Sequence, residues 1–254
     1  MLYTKYTFIV FIFAFIALAI LSLGIVSFYK NKSKKSRFVL FYIFASCFVL
    51  MEIIKQAIEF TKDSYDFWSL PLHVCSIFLL SVPLAVFFKQ GSKVSNIFWA
   101  MSYVLGFIIT VVMFVAPYPV IGWSAENIVE GKYDYVDVVT VIFHYVIVLF
   151  FLAILILQPY IFRKKDIVFA GGIYMLNLIV IVTFANILQE NYANFLSFSI
   201  DFIDDIKRKV GVGMFQFVVF LLYMTFYCLC SYCTFHLFKL LNHKILTVQN
   251  QRIT

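Results

Sequence analysis

The chain reads as an all-α polytopic membrane protein, a bundle of about seven transmembrane helices. Three observations predict this. Of its 254 residues, 63% are hydrophobic and only 13% charged, which leaves too little polar surface to cover a water-soluble globule. Apolar runs of about 20 residues, the length a bilayer-spanning helix needs, recur between short polar segments. No run alternates polar and apolar residues with period two, which excludes a transmembrane barrel.

The predicted spans fall near residues 7–28, 38–60, 69–88, 94–116, 138–160, 167–188 and 210–238, all within a single domain over 1–254. The first has too long an apolar core for a cleaved signal peptide, and no small-residue cleavage pattern follows it, so it is expected to remain as a helix. The third is expected to begin with Ser69 as N-cap and Pro71 in its first turn, where a missing N–H costs nothing. Before the last span, Phe195, Phe198, Phe202 and Ile206 recur at helical spacing beside charged neighbours, which predicts a short helix lying on the outer surface.

Lys and Arg set the orientation. One set of alternate loops, from Lys30 to Arg252, holds thirteen of them and the other set holds six. The richer set is therefore expected in the cytoplasm, with the N-terminus outside and the C-terminus inside a cell membrane. The net charge of +7 follows from this bias, and no nucleic-acid partner is expected. Trp68 and Trp123 fall near the outer interface, where amphipathic rings are favoured. The acidic outer loops read as solvated surface or as a cation-attracting vestibule.

All five cysteines fall inside predicted spans, so no disulfide framework is indicated. The C-x-x-C of Cys230 and Cys233 reads as small buried residues rather than a zinc or redox pair. Phosphate-binding loops, dinucleotide fingerprints, zinc-protease motifs and nucleophile elbows are absent from the sequence. Nucleotide hydrolysis and zinc proteolysis are set aside, and no metal or organic cofactor is implied.

Polar groups concentrate near one end of the bundle. On the second helix Glu52, Lys55, Gln56 and Glu59 share a face, with Glu52 in reach of Lys55 or Gln56. In "SLPLHVCSIFLL", His73, Cys75 and Ser76 fall in the first two turns of the third helix, whose unpaired N–H groups favour a negative species. At about 1.5 Å per residue, Glu52, His73, His144 and Gln216 lie roughly 9 to 12 Å below the outer helix ends, with Asn186 and Gln189 slightly higher. An ionisable group in hydrocarbon needs a partner, a cavity or a route to water. Taken singly, His144 also reads as a hydrogen-bonded core histidine and Glu52/Lys55 as a packing pair. Agreement in depth across five helices points instead to a cavity open to the outer leaflet.

The candidate catalytic residues are therefore His73, His144, Ser76 and Cys75; Glu52, Lys55, Asn186 and Gln216 are the candidate substrate contacts. On a regular helix Cys75 is turned about 200° from His73, while Ser76 shares the face of His73. His73 would then serve Ser76 or a water, and Cys75 would need His144 as its base.

At "SLPLHVCSI" the chain resembles the bacterial YwaF-like integral membrane family and its eukaryotic relatives, among them a cysteine-dependent phospholipid acyltransferase. The likeness lies in the proline and histidine opening the third helix, Pro71 and His73. It extends to the histidine of "VIFHYVIVL" on the fifth, His144, and more loosely to Asn191 and Tyr192 in "QENYANFL". The acyltransferase carries its nucleophilic cysteine immediately before the first histidine, where this chain has Leu72. The resemblance therefore implies roles for His73 and His144, and Cys75 is not the positional equivalent of that cysteine.

Three functions remain open. The leading one is an enzyme acting on acyl esters of phospholipids or related lipids, by transfer or hydrolysis, with membrane lipids as its partners. The alternative is a proton-linked small-solute transporter or transport-accessory protein, for which intramembrane carboxylates and histidines are the usual equipment. The third is a structural or partner-binding membrane protein without turnover.

Overall fold

A computed structural model describes residues 5–29, 32–196 and 201–251. Each predicted run contains a helix. The long helices are α1 (Lys5–Tyr29), α2 (Lys34–Glu59), α4 (Lys93–Val115), α6 (Tyr135–Leu157), α7 (Lys164–Leu188) and α9 (Val212–Gln251); the shorter ones are α3 (Phe78–Phe87), α5 (Tyr118–Glu130) and α8 (Asp201–Val210). The six long helices are apolar enough to cross a membrane, and a shorter apolar segment, Val74–Phe87, accompanies them. No strand forms among the described residues.

Helix α4 is the centre of the bundle and packs on α3, α6, α7 and α9, whereas α1 lies outermost against α5 and α6. Gly106 lets α4 approach α6 closely, because a Cβ there would stand 2.9 Å from Cδ2 of Phe151. The rings of Phe41 and Phe48 on α2, Phe78 on α3, Trp99 on α4 and Phe150 on α6 interlock; Trp99 meets Phe41 edge-on at 5.3 Å and lies parallel to Phe150 at 6.3 Å. Each such pair is worth about 0.5–1.5 kcal/mol beyond its burial. This cluster fixes the helices that carry the polar layer, since Glu52 lies one turn beyond Phe48 and Phe78 directly follows the Val74–Ile77 turn.

Polar residues tie the ends. Asp134 and Asp137 form a reciprocal capping box at the start of α6, and Asn127 of α5 donates to Asp137 at 2.9 Å. Lys62 bridges the buried Glu59 at the end of α2 to Asp134 at 3.3 Å. At the opposite end Tyr160 and Arg163 both bind the buried Asp166 in the first turn of α7, and Tyr103 donates to the carbonyl of Tyr160.

The third predicted span is corrected. Asp66, not Ser69, is the capping residue, and it caps a 3-10 turn at Phe67–Ser69. Ser69 is buried, and its hydroxyl donates to the Asp66 carbonyl at 2.8 Å. The chain is extended at Leu70 and at His73, turns through a second 3-10 segment at Val74–Ile77, and becomes α-helical only at Phe78. Pro71 accounts for the break, because its ring disfavours helical backbone at the preceding residue.

Two further expectations change. Helix α5 lies in what reads as an outer loop, and it carries Trp123 on an exposed face. Phe195 is fully buried beside Tyr223, at 5.7 Å between rings, and does not belong to the amphipathic α8; Phe198 lies outside the described residues. Of the cysteines in α9 only Cys230 is buried, while Cys228 and Cys233 are exposed on the helix surface.

Candidate functional site

The polar layer surrounds a cavity of about 400 Å³, lined by Glu52, Lys55, His73, Cys75, Ser76 and His144 among others. It lies where the end of α2, the start of α6 and the segments 68–76 and 191–194 converge. Its remaining wall is mostly apolar, with Met51, Ile108, Val112, Val139 and Phe143 as examples. An apolar chamber with a few convergent polar groups is the usual form of a small-molecule site.

Lys55 Nζ pairs with Glu52 at 2.9 Å, and both side chains are mostly shielded. Gln56 donates to the other Glu52 oxygen at 2.6 Å and to the Ser69 carbonyl at 2.9 Å, while Tyr65 donates to the Gln56 side-chain oxygen. The stripe on α2 is thus welded to the turn that leads into His73.

Both histidines have a tautomer set by the backbone. A carbonyl only accepts, so His144 Nδ1, 2.7 Å from the Thr140 carbonyl, carries its proton, and neutral His144 keeps its lone pair on Nε2. By the same logic His73 Nε2, 3.2 Å from the Trp68 carbonyl, is the protonated nitrogen, and Nδ1 keeps the lone pair. The two imidazoles lie within electrostatic range of one another and of Lys55. Cys75 is also within range of Lys55. The expectation that His73 and Cys75 face apart rested on a regular helix, and the extended and 3-10 backbone there brings both to the same cavity.

Asn186 and Gln216 are placed elsewhere. They hydrogen-bond to each other across α7 and α9 and do not belong to the cavity lining. Similar depth suggested the same layer for them, but each finds its partner on the neighbouring helix.

The segment after α7 supplies residues that sequence reasoning did not assign to the site. Asn191, Ala193 and Asn194 line the cavity, and the loop around them dips into the bundle with Tyr192 and Phe195 fully buried. Ala193 (φ 50°) and Asn194 (φ 59°) are consecutive left-handed residues without glycine, an arrangement that costs about 1–2 kcal/mol per residue. Tyr223 donates to the Ala193 carbonyl at 3.0 Å, Leu196 N–H to Asn191 Oδ1 at 2.9 Å, and Tyr192 to the Phe67 carbonyl. Burial, reinforced by Glu190, Tyr65 and Asp66, pushes the Tyr192 hydroxyl up to about 12, so it remains a donor at neutral pH.

A helical bundle with several spans and an internal, partly polar cavity defines a multi-pass membrane protein. Residues 2–237 match the TMEM164 family, and the chain belongs to it. No curated protein matches the chain, and no solved structure does.

Proposed function

We propose that the protein is a membrane enzyme acting on acyl esters of phospholipids or related lipids, by transfer or hydrolysis, at the outer leaflet of the cell membrane. The observation that carries this reading is the pair of histidines with backbone-set tautomers, His73 and His144, in one apolar chamber with Ser76 and Cys75. An acyl chain suits the apolar wall, and the ester suits the polar end. One imidazole accepts the proton of the attacking hydroxyl as its oxygen bonds to the acyl carbon; the alkoxide leaving that carbon then takes a proton from an imidazolium. Lys55, held by Glu52, faces the developing negative charge. The likeness of Pro71, His73 and His144 to the YwaF-like and acyltransferase pattern supports the same reading, with Leu72 as its departure.

The test is lipid analysis of a deletion strain beside its parent, complemented by His73→Ala and His144→Ala. Both variants should fail to restore the lipid change while remaining folded. An acyl thioester trapped on the Cys75 thiol would assign the nucleophile to it; full activity in both histidine variants would end the enzyme reading. Reporter fusions at Lys34, Arg163 and the C-terminus should all report cytoplasm, placing the cavity at the outer leaflet.

The ionisable group of Glu52, Lys55, His73 and His144 also favours a second reading, a proton-linked solute transporter. Solute-dependent proton uptake by proteoliposomes, with no change in lipid, would select it.

A further inference from the structure

Tyr192 joins segments that are distant in sequence. Its hydroxyl donates to the carbonyl of Phe67, the residue before Trp68, and its ring stands 5.4 Å from the ring of His73. His73 also meets the Trp68 ring at 4.8 Å and gives its Nε2 proton to the Trp68 carbonyl. One phenol therefore contacts the histidine and also pins the peptide next to the carbonyl that sets its tautomer. The loop carrying Tyr192 holds two left-handed residues, a backbone that persists only where its surroundings over-determine it. Here the bonds from Tyr223 to Ala193 and from Leu196 to Asn191 do so.

We infer that Tyr192 is a positioning residue: by anchoring the Phe67 carbonyl it keeps the Trp68 carbonyl on Nε2 of His73, which reserves Nδ1 as the base. This rests on the reading of His73 as a proton acceptor. The Phe67 carbonyl also accepts the Leu70 N–H at 3.1 Å, so the phenol is the second of its two donors. Loss of the phenol hydroxyl leaves the Leu70 bond alone to hold that peptide, which loosens the adjoining Trp68 carbonyl on Nε2 and releases the tautomer.

The experiment is nitrogen NMR of ¹⁵N-histidine-labelled full-length protein in micelles, with His73→Gln to assign its signals. Wild-type His73 should show one tautomer, protonated on Nε2. In Tyr192→Phe, which keeps the ring, its two nitrogen shifts should move toward each other while those of His144 stay put. Asn186→Leu, which removes an amide outside the cavity, should leave His73 unchanged. On a labelled phospholipid, kcat of Tyr192→Phe should fall at least tenfold with KM within twofold.

An Nδ1-protonated His73 in the wild type overturns the inference before any variant is made. So does an unchanged His73 in Tyr192→Phe, an equal movement of His144, or a released tautomer with unaltered kcat. If no form of the protein turns over lipid, the enzyme reading falls alone, because the nitrogen shifts report the positioning without turnover.

Discussion

Asn186 on α7 and Gln216 on α9 exchange two amide hydrogen bonds, with Gln216 Nε2 donating to Asn186 Oδ1 at 2.9 Å and Asn186 Nδ2 donating back at 3.3 Å. Interhelical polar pairs in membranes contribute about 0.6–2 kcal/mol. Asn186→Leu and Gln216→Leu should each cost about 1 kcal/mol in unfolding experiments, and the double variant little more than either, because it leaves no amide unpartnered. The lipid profile of cells carrying them should match the parent. Strictly additive losses would show that the amides act separately, and a lost lipid change would return them to the site.

The Glu52–Lys55 pair makes the opposite kind of test, since it does line the cavity. Lys55→Met alone leaves a shielded carboxylate without its cation, a cost on the order of 3–5 kcal/mol. Replacing both residues by apolar ones avoids that charge. The double variant should therefore be more stable than Lys55→Met, as read by thermal unfolding in detergent. Equal stabilities would mean that water already screens Glu52.

Ala193 offers a backbone test. With φ at 50° it occupies a region that glycine tolerates freely and β-branched residues do not. Ala193→Gly should stay within about 1 kcal/mol of wild type, while Ala193→Val should lose more than about 2 kcal/mol. Thermal unfolding that ranks valine level with glycine would rule out the left-handed turn.

Lys62 predicts a pH dependence. Its hydrogen bond to Glu59, aided by Asp134 and opposed in part by burial, holds its ammonium above the usual lysine range. A raised folded value stabilises fully below the unfolded value, about 10.4, and that contribution is lost as pH rises through the folded value. The gap in Tm between wild type and Lys62→Met should stay constant from about pH 7 to 9 and narrow above about 10.4. A gap that narrows on acidification instead would assign the effect to the carboxylates.

Much of the architecture is legible in the sequence, because run length and hydropathy act locally. Six spans match their predicted counterparts to within about a turn at most ends, while α9 continues past 238 to Gln251. The stretch from Ser69 to Ile77 misled for a local reason too: a proline after a polar residue suits a helix start, yet it equally forces Leu70 into extended backbone. Helix α5 carried readable signals, Pro117 before it and the left-handed Gly131 after it, but its charged residues marked it as loop. The pairing of Glu52 with Lys55 follows from helical spacing. That of Asn186 with Gln216, or of Tyr192 with the carbonyl 125 residues before it, depends on how helices meet in space, and periodicity carries no such information.

Under the proposed acyl chemistry, the late start of α3 has a consequence for selectivity between acceptors. Fourteen residues from Val74 to Phe87 reach about 21 Å, short of a hydrocarbon core of about 30 Å. The missing depth is made up by non-helical chain at Leu70 and His73, so in the proposed acyl chemistry the imidazoles would meet their substrate inside the bundle, against the mostly apolar wall of the cavity. An acyl group released there would encounter a lipid hydroxyl more often than it would in bulk solution. Kinetic partition would then favour exchange of chains between lipids over their loss to water, without any residue that discriminates between the two.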